Sequence, residues 1–259
     1  MIKNKLTQKR LLSSQEPGPV GIHNYSMDSP WLFLCEHASN MIPLSLKMLG
    51  LSQKEINRHI GWDIGILNVT KGIADRLRAP VFFQHYSRLV IDCNRPLESP
   101  DLIPFKSETT LVPGNKRLSS REREERINEI WKPYQEKIRQ HFEKMSTQKT
   151  MVVSMHSFTP VFQGNSRPWH IGLLYNHDPE MAQALKEILY KYDSSLNIGM
   201  NKPYTISDED DYTIPTFGEA MGLPHVLIEI RQDLINKKEN LARWINLFTL
   251  ACRDLQIIF

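Results

Sequence analysis

Residues 31–42 have the sequence WLFLCEHASNMI, and this stretch decides the fold. It opens with an uninterrupted apolar run, Trp31 to Cys35, whose length and composition are typical of a strand buried on both faces. Glu36 and His37 follow at once, and a carboxylate and an imidazole are both metal-binding groups. A buried strand that ends in two such side chains predicts a functional site at its carboxyl end.

Two later apolar runs repeat this pattern. The run TMVVSMHSF, residues 150–158, contains His156, and the run HVLIEIRQD, residues 225–233, contains Glu229. In open α/β sheets ligands bind outside the carboxyl ends of the strands, so these side chains can converge there. Asp63 adds a further carboxylate in GWDIG, between two glycines that permit close approach of the backbone.

Between these strands the apolar residues have helical spacing. Helices are predicted within residues 51–77, 119–145, 178–192 and 240–255. Ser52 and Glu55 form a capping-box pattern, and Pro133 is expected to kink or break the second helix. Residues 80–92 contain two short strand-like runs. This alternation predicts an α/β fold of three layers, in which helices flank a central, mostly parallel mixed sheet.

Residues 1–28 are polar and are broken by Pro17 and Pro19, so we expect an N-terminal arm that is loosely packed. Residues 29–259 contain no internal repeat and no break in composition, which predicts a single α/β domain. Within that domain, the irregular stretch at residues 94–117 is long, and long loops in compact domains are often functional.

The composition excludes several classes of protein. A hydrophobic content of 41% and a charged content of 24% are ordinary for a soluble globular protein. The net charge of +3 gives no argument for nucleic-acid binding, and no apolar stretch approaches the length of about 20 residues that spans a membrane. The three cysteines have no CxxC spacing and are odd in number. We therefore expect a reduced, cytoplasmic protein with no nucleic-acid or membrane partner, and its oligomeric state stays open.

The residues at the strand ends have the composition of a metal site. Two imidazoles and one carboxylate, with a fourth position left for water, make up a catalytic zinc centre. A separate carboxylate could then act as a general base. A single histidine at a strand end more often serves only as a hydrogen-bonding group, and the repetition at successive strands is what favours a metal.

A second group of polar residues lies in YSRLVIDCNRP, residues 86–96. Arg88 and Arg95 lie seven residues apart, and Asn94 adjoins the second arginine. A guanidinium matches the geometry of a carboxylate, and near a metal it can stabilise an oxyanion. Either arginine could instead pair with Asp92 or Glu98.

Six motifs together resemble those of the N-formylglutamate amidohydrolase family in order and spacing. They are LFLCEHASNMIP, HIGWDIG, YSRLVIDCNRP, VVSMHSFTP, RPWHIGLLYN and LIEIRQDLI. The similarity extends from about residue 15 to residue 255. The family is distantly similar to zinc carboxypeptidases and aspartoacylase, which implies a phosphorylase/hydrolase-like α/β fold.

The resemblance implies roles for individual residues. His37 and His156 resemble metal ligands, with Asp63 as the third and Glu36 as its competitor. The other assignments are the general base Glu229, the oxyanion-side Arg88, the carboxylate clamp Asn94 and Arg95, and Arg231 as a second candidate clamp. The implied reaction is hydrolysis of the linear amide of an N-acyl amino acid by water activated on one zinc ion. The implied substrate is an acidic N-formyl compound such as N-formylglutamate.

The chain also departs from the family pattern. Phe217 stands where many relatives are expected to have a histidine, and this puts the exact substrate in doubt. The segment containing Arg167, Trp169 and His170 could cover a substrate, although tryptophans in loops more often anchor packing. SDEDDY, residues 207–212, is acidic enough for a metal site, but a solvated turn is the interpretation we favour.

Two alternatives compete with a metallohydrolase. One is a binding protein that retains the fold, which the presence of both histidines and Glu229 makes less favoured. The other is a metal-free hydrolase that uses Cys35 or Cys93, although a thiol within an apolar run is more often inert. Chelation separates these hypotheses, because it abolishes the activity of a metallohydrolase and leaves a thiol enzyme active.

Overall fold

The structure, a computed structural model, describes residues 10–25, 29–145 and 150–259. Within these residues the strands, numbered in chain order, are β1 (Val20–His23), β2 (Trp31–Cys35), β3 (Val81–Gln84), β4 (Lys106–Ser107), β5 (Thr110–Leu111), β6 (Met151–Phe158), β7 (Val161–Phe162), β8 (Asn165–Ser166), β9 (Ile171–Leu174), β10 (Ile198–Met200) and β11 (His225–Arg231). The α-helices are α1 (Gln53–Ile56), α2 (Ile66–Leu77), α3 (Ser120–Arg126), α4 (Lys132–Lys144), α5 (Glu180–Tyr192) and α6 (Lys238–Ile258). None of these helices is long and apolar enough to cross a membrane.

Seven strands form one mixed sheet in the order β1-β3-β2-β6-β11-β9-β10. The four central strands, β3, β2, β6 and β11, are parallel to one another. On one side β1 pairs antiparallel with β3, and on the other β9 pairs antiparallel with β11 and parallel with β10. The remaining strands form two short hairpins, β4–β5 and β7–β8. The predicted fold, a mostly parallel mixed sheet flanked by helices, is confirmed.

The sheet buries both of its faces, because successive side chains of a strand point to opposite sides. Phe33 and Met155 belong to the larger core, which the sheet forms with α2, α5 and α6. Leu34 belongs to the second core, which includes residues of α4. His156 follows Met155 in β6, and Glu229 alternates in the same way with larger-core residues of β11. Both site residues therefore lie on the side of the sheet away from the larger core.

The helix predicted within residues 51–77 is interrupted. Residues 57–65 separate α1 from α2, and this irregular loop carries Asp63. Gly65 begins α2 with a φ of +84°, and a Cβ there would lie 2.8 Å from the carbonyl oxygen of Ile235. The apolar spacing continues through the loop, so periodicity alone could not reveal the interruption.

One local prediction about helices is confirmed, and the break expected at Pro133 does not occur. Ser52 and Glu55 form a capping box at the start of α1. Pro133 lies in the first turn of α4, directly after a π-helical turn at Ile127–Trp131. Because proline has no N–H to donate to the carbonyl four residues earlier, the wider π turn accommodates it without ending the helix.

Two other segments differ from expectation. Residues 80–92 contain one strand, β3, and not two, because the second run forms the loop that carries Arg88. The segment predicted as an arm, residues 1–28, contributes β1 to an edge of the sheet. Of that segment, residues 1–9 and 26–28 lie outside the described part of the chain. The boundary at residue 29 stays a prediction.

A buried histidine in α4 makes the fold sensitive to acid. The ring of His141 packs against Phe82 and Phe142 and forms no hydrogen bond within the described residues. Burial lowers the pKa of His141 to about 4. The unfolded chain therefore takes up a proton below about pH 6.5 that the folded protein does not, and stability falls as the pH drops from there toward 4.

We expect His141→Phe to remove this sensitivity. Between about pH 6.5 and pH 4, the free energy of unfolding of the variant should exceed that of the wild type by about 1.4 kcal/mol more for each unit of decrease in pH. Urea unfolding at several pH values measures this difference. A constant difference between pH 7 and pH 4.5 would contradict the assignment.

Candidate metal centre

Three segments that are distant in the chain bring His37, Asp63 and His156 together. His37 follows β2, His156 lies near the end of the neighbouring parallel strand β6, and Asp63 comes from the loop before α2. The two Nδ1 atoms of His37 and His156 are 3.1 Å apart. Oδ2 of Asp63 lies 2.9 Å from Nδ1 of His156 and 3.5 Å from Nδ1 of His37. All three side chains are buried.

These separations fit a single metal ion. Ligand atoms around a tetrahedral zinc, with bonds of about 2.0–2.1 Å, lie about 3.3 Å apart. The outer nitrogen of each histidine meets a carboxylate: Nε2 of His37 is 2.6 Å from Asp92, and Nε2 of His156 is 3.1 Å from Glu36. When each Nε2–H donates to its carboxylate, the lone pairs of both Nδ1 atoms face Asp63. The two Nδ1 atoms and the Asp63 carboxylate then all direct lone pairs at the same point, and a cation bound there would satisfy all three.

Asp92 connects this cluster to an arginine. One of its oxygens meets His37, and the other accepts a 2.8 Å hydrogen bond from Arg88. Burial opposes ionisation of Asp92, but His37 and Arg88 outweigh it and hold the pKa of this carboxyl well below its usual range. The guanidinium of Arg88 also reaches within 3.2 Å of Nδ1 of His37 and 3.7 Å of Asp63. Arg88 thus lies at the edge of the cluster, 27% exposed and open to a ligand.

Glu36, the competitor of Asp63, lies on the far side of His156. Its carboxylate accepts hydrogen bonds from the hydroxyls of Thr213, at 2.7 Å, and Ser154, at 3.0 Å. Burial opposes ionisation, but the hydrogen bond from His156 and its charge lower the pKa of Glu36. The structure therefore places Asp63 in the candidate ligand cluster and Glu36 behind one of its histidines.

Glu229 lies beside His156 across the sheet, because these residues are directly paired in the register of β11 and β6. Burial raises the pKa of Glu229 to about 8, with a further contribution from the negative charge of Asp63. Its Oε2 is buried and has no hydrogen-bond partner within the described residues. A carboxyl group with a raised pKa beside a candidate metal centre can both accept and donate a proton near neutral pH.

The two residues of the predicted clamp have different surroundings. The side-chain oxygen of Asn94 accepts from the backbone N–H of Thr213, and its amide donates to Asp211. These bonds hold the loop that contains Asp211 and Thr213. Because they use both the oxygen and the nitrogen of the Asn94 amide, neither atom is left free for a ligand. Arg95 lies 3.8 Å from Asp92 and 3.9 Å from Asp211, and donates to the carbonyl oxygen of Asp210. Its loose carboxylate contacts leave it better placed to bind a ligand than Asn94.

Arg231 is not brought to this site. Its guanidinium pairs with Asp233, 2.8 Å away, and donates to the carbonyl oxygens of Arg167 and Pro168. The strand is regular, and Arg231 has the same parity as Glu229 because it lies two residues further along. The long side chain nevertheless turns out of the cavity at the last residue of the strand, so the structure gives no support to a second clamp.

A cavity of about 750 Å³ opens onto these residues. Its walls include seven of the predicted site residues, namely His37, Asp63, Arg88, Asn94, Arg95, His156 and Glu229. The predicted covering segment contributes only indirectly. Arg167 stacks on Phe162 and donates to the hydroxyl of Tyr204, both of which line the cavity, whereas Trp169 packs on Gly199 of β10.

Sequence reasoning missed the residues that fix the loop around Arg88 and Asp92. Arg126 of α3 is buried and donates to the carbonyl oxygen of Val90, at 2.9 Å, and to Asn115, at 2.7 Å. Burial lowers the pKa of Arg126 to about 10. The sequence showed Asp92 four residues after Arg88, which indicated a possible ion pair. The apolar spacing gave no indication that Arg126 would be buried against this loop.

The N-formylglutamate amidohydrolase family model matches residues 29–236. The chain belongs to this family. Among solved structures, the gene product Atu2144 from Agrobacterium tumefaciens is similar, with 35% identity, a TM-score of 0.90, and coverage of 96% of this chain and 99% of that one. An N-formylglutamate amidohydrolase from Ralstonia eutropha JMP134 shares the fold, with 16% identity, a TM-score of 0.68, and coverage of 93% and 98%. A search of curated protein sequences gave no match.

Within this member of the N-formylglutamate amidohydrolase family, Phe217 does not face the cavity. Its ring is buried, stacks on Phe142 and meets the edge of Tyr212. The expectation that this position removes a polar group from the substrate side is therefore corrected. The residue fills the second core, where an aromatic ring contributes apolar contact area.

The cysteines give no support to a thiol hydrolase. Cys35 and Cys93 are fully buried, and burial raises the pKa of both thiols well above the usual range. A thiol that stays protonated and has no access to solvent is a poor nucleophile.

The placement of the two competing carboxylates predicts unequal effects on metal binding. Glu36→Gln should lower zinc affinity by about 10- to 100-fold, as is usual for groups that orient a ligand. Asp63→Asn, the matched change at a ligand position, should lower it further. Competition with a chromogenic chelator measures both affinities, and the reverse order would show that Glu36 is the ligand.

Proposed function

We propose that this chain is a zinc-dependent amidohydrolase that cleaves the linear amide of an N-formyl or related N-acyl amino acid, preferably an acidic one such as N-formylglutamate. The observation that carries this proposal is the convergence of His37, Asp63 and His156 beside Glu229. Family membership supports amide hydrolysis. The donor set of two imidazoles and one carboxylate supports zinc over magnesium or calcium, which prefer oxygen ligands.

A zinc ion held by these residues would supply a Lewis acid that polarises the acyl oxygen and makes water more acidic. Glu229 would take the proton from the attacking water and pass it to the departing amine. Its raised pKa suits both transfers, because the group can hold a proton near neutral pH and release it again. Its Oε2 has no hydrogen-bond partner among the described residues and can receive that proton.

Arg88 would stabilise the negative charge that develops on the acyl oxygen. Its guanidinium reaches the metal cluster, while Asp92 holds it from behind at 2.8 Å. A donor fixed before the reaction stabilises developing charge without reorganising. The pairing with Asp92 thus serves to orient the arginine.

The basic residues of the cavity support an acidic substrate. Arg95 makes only long contacts with carboxylates, and Lys106 and Lys202 also line the cavity without an ion-pair partner among the described residues. Arg95 is our proposed partner for the substrate carboxylate, and Asn94 keeps a supporting role through the loop that it holds.

The test uses purified full-length protein and a set of N-acyl amino acids. Chelation should abolish hydrolysis, and added zinc should restore it. N-formyl-L-glutamate should be cleaved at least about tenfold more efficiently than N-formyl-L-leucine, because one charge-assisted hydrogen bond contributes about 1.5–3 kcal/mol. Full activity without metal would overturn the zinc assignment. Zinc-loaded protein that binds but cleaves none of these amides would favour a binding protein.

A further inference from the structure

A second group of metal-binding side chains lies outside the catalytic cavity. His177 comes from the loop between β9 and α5, Asp208 from the acidic turn at residues 207–211, and Glu219 from the end of a π-helical turn. Their ligand atoms lie within 4.8 Å of one another. Nε2 of His177 is 3.4 Å from Oδ2 of Asp208. The chain has thus gathered three potential ligands from three separate segments.

Hydrogen bonds from Asn176 and His177 hold the two carboxylates close together. The amide of Asn176 donates to both, at 2.7 Å to Asp208 and 3.1 Å to Glu219. The backbone N–H of His177 donates to Oε1 of Glu219 at 2.7 Å. Two carboxylates this close repel each other unless a positive charge lies nearby. Among the described residues, neither Asp208 nor Glu219 has a lysine or arginine within ion-pair distance, and their only ion-pair contacts are with His177 and His225.

A buried histidine gives an independent indication of a cation. The side chain of His225, at the start of β11, is 1% exposed, and its Nδ1 is 2.7 Å from the carbonyl oxygen of Leu223. When Nδ1 donates its proton there, Nε2 carries a lone pair. That atom makes no hydrogen bond within the described residues and lies 3.7 Å from Oε1 of Glu219.

Nε2 of His225 and Oε1 of Glu219 are both electron-pair donors, and at 3.7 Å a single cation could lie between them. Two ligand atoms of a tetrahedral zinc lie about 3.3–3.4 Å apart, close to the observed separation. Gly218 makes the position of the ring possible, because a Cβ there would lie 2.5 Å from Cγ of His225. The imidazole is therefore packed in place with its nitrogen directed at Glu219.

We propose that His177, Asp208 and Glu219, supported by His225, form a second site for a divalent transition-metal ion. The mixture of imidazole and carboxylate ligands favours zinc, cobalt or nickel over calcium and magnesium. This site is separate from the catalytic centre, and it does not depend on the proposed reaction.

The second ion would stabilise one wall of the catalytic cavity. Asp208 belongs to the same turn as Asp210 and Asp211, which line the cavity and contact Arg95. The backbone N–H of Asp211 donates to the carbonyl oxygen of Ser207, so the turn is compact. An ion that ties Asp208 to the loop after β9 would therefore fix the turn against the body of the protein.

The test counts zinc ions on the full-length chain by equilibrium competition with a chromogenic chelator. The wild type should bind two equivalents. His177→Ala and Asp208→Asn should each keep one equivalent and lose at least about tenfold in affinity for the other. Glu209→Gln is the matched control, because it removes one negative charge from the same exposed turn, and it should still bind two equivalents.

His37→Ala separates this site from the catalytic one. It should retain one equivalent, and the additional change Asp208→Asn should lower the affinity for that ion at least about tenfold. A single equivalent in the wild type, lost in His37→Ala, would overturn the second site. Two equivalents of unchanged affinity in both His177→Ala and Asp208→Asn would overturn it as well. Because His177 and Asp208 are exposed, circular dichroism should show an intact fold in each variant.

Discussion

Glu229→Gln is expected to lower kcat by about 10²- to 10⁴-fold, the usual contribution of a general acid–base group. The amide keeps the shape of the carboxyl group but cannot accept the proton of the attacking water. Zinc content should be unchanged, because Glu229 lies beside the candidate ligand atoms and is not one of them. Steady-state kinetics on N-formyl-L-glutamate and elemental analysis of the same sample measure the two effects.

The same variant should not lose stability. Burial raises the pKa of Glu229 to about 8, so the folded protein gains nothing from ionising this group. For a carboxyl group whose folded pKa is raised, ionisation in the unfolded chain above about pH 4.5 opposes folding. We expect the metal-free variant to have a Tm equal to or above that of the wild type at pH 7. A large loss of activity accompanied by a lower Tm would indicate damage to the fold.

The second large effect is expected from the histidines. His37→Ala and His156→Ala should each lose one equivalent of zinc and reduce kcat/KM by at least about 10³-fold, which corresponds to several kcal/mol of transition-state stabilisation. Each variant removes one of the three candidate ligand atoms that lie within 3.5 Å of one another. Elemental analysis after dialysis and kinetics at saturating zinc measure these losses.

His23→Ala provides a matched control for these variants. His23 lies in edge strand β1, and its ring pairs with Asp75 at the surface, 2.6 Å away. The control should keep wild-type zinc content and activity. Retention of this zinc equivalent in both His37→Ala and His156→Ala would refute the metal centre. It would show that neither imidazole is needed to bind the ion.

The sequence by itself determined the buried strands and the polar, functional residues near their carboxyl ends. The apolar runs at residues 31–35 and 150–158 predicted strands that are buried within a sheet. His37, His156 and Glu229 were predictable because they interrupt or follow such runs. The motif GWDIG identified Asp63, although not its advantage over Glu36.

Only the tertiary structure decided how these side chains meet. The register of β11 against β6 places Glu229 beside His156, and the sequence does not specify a pairing between residues so far apart. The orientation of Asp92 toward His37 depends on a loop that Arg126 and Asn115 hold from other segments.

The same limit applied at the ends of elements. Arg231 has the parity of Glu229, yet its long side chain finds Asp233 two residues later and leaves the cavity. The acidic turn that contains Asp208 was expected only to be exposed to solvent, yet the packing of the chain brings Asp208 to His177. Periodicity reports which face a residue occupies, because it follows from local backbone geometry. The partner that a polar side chain finds depends on contacts between distant segments, and folding alone establishes them.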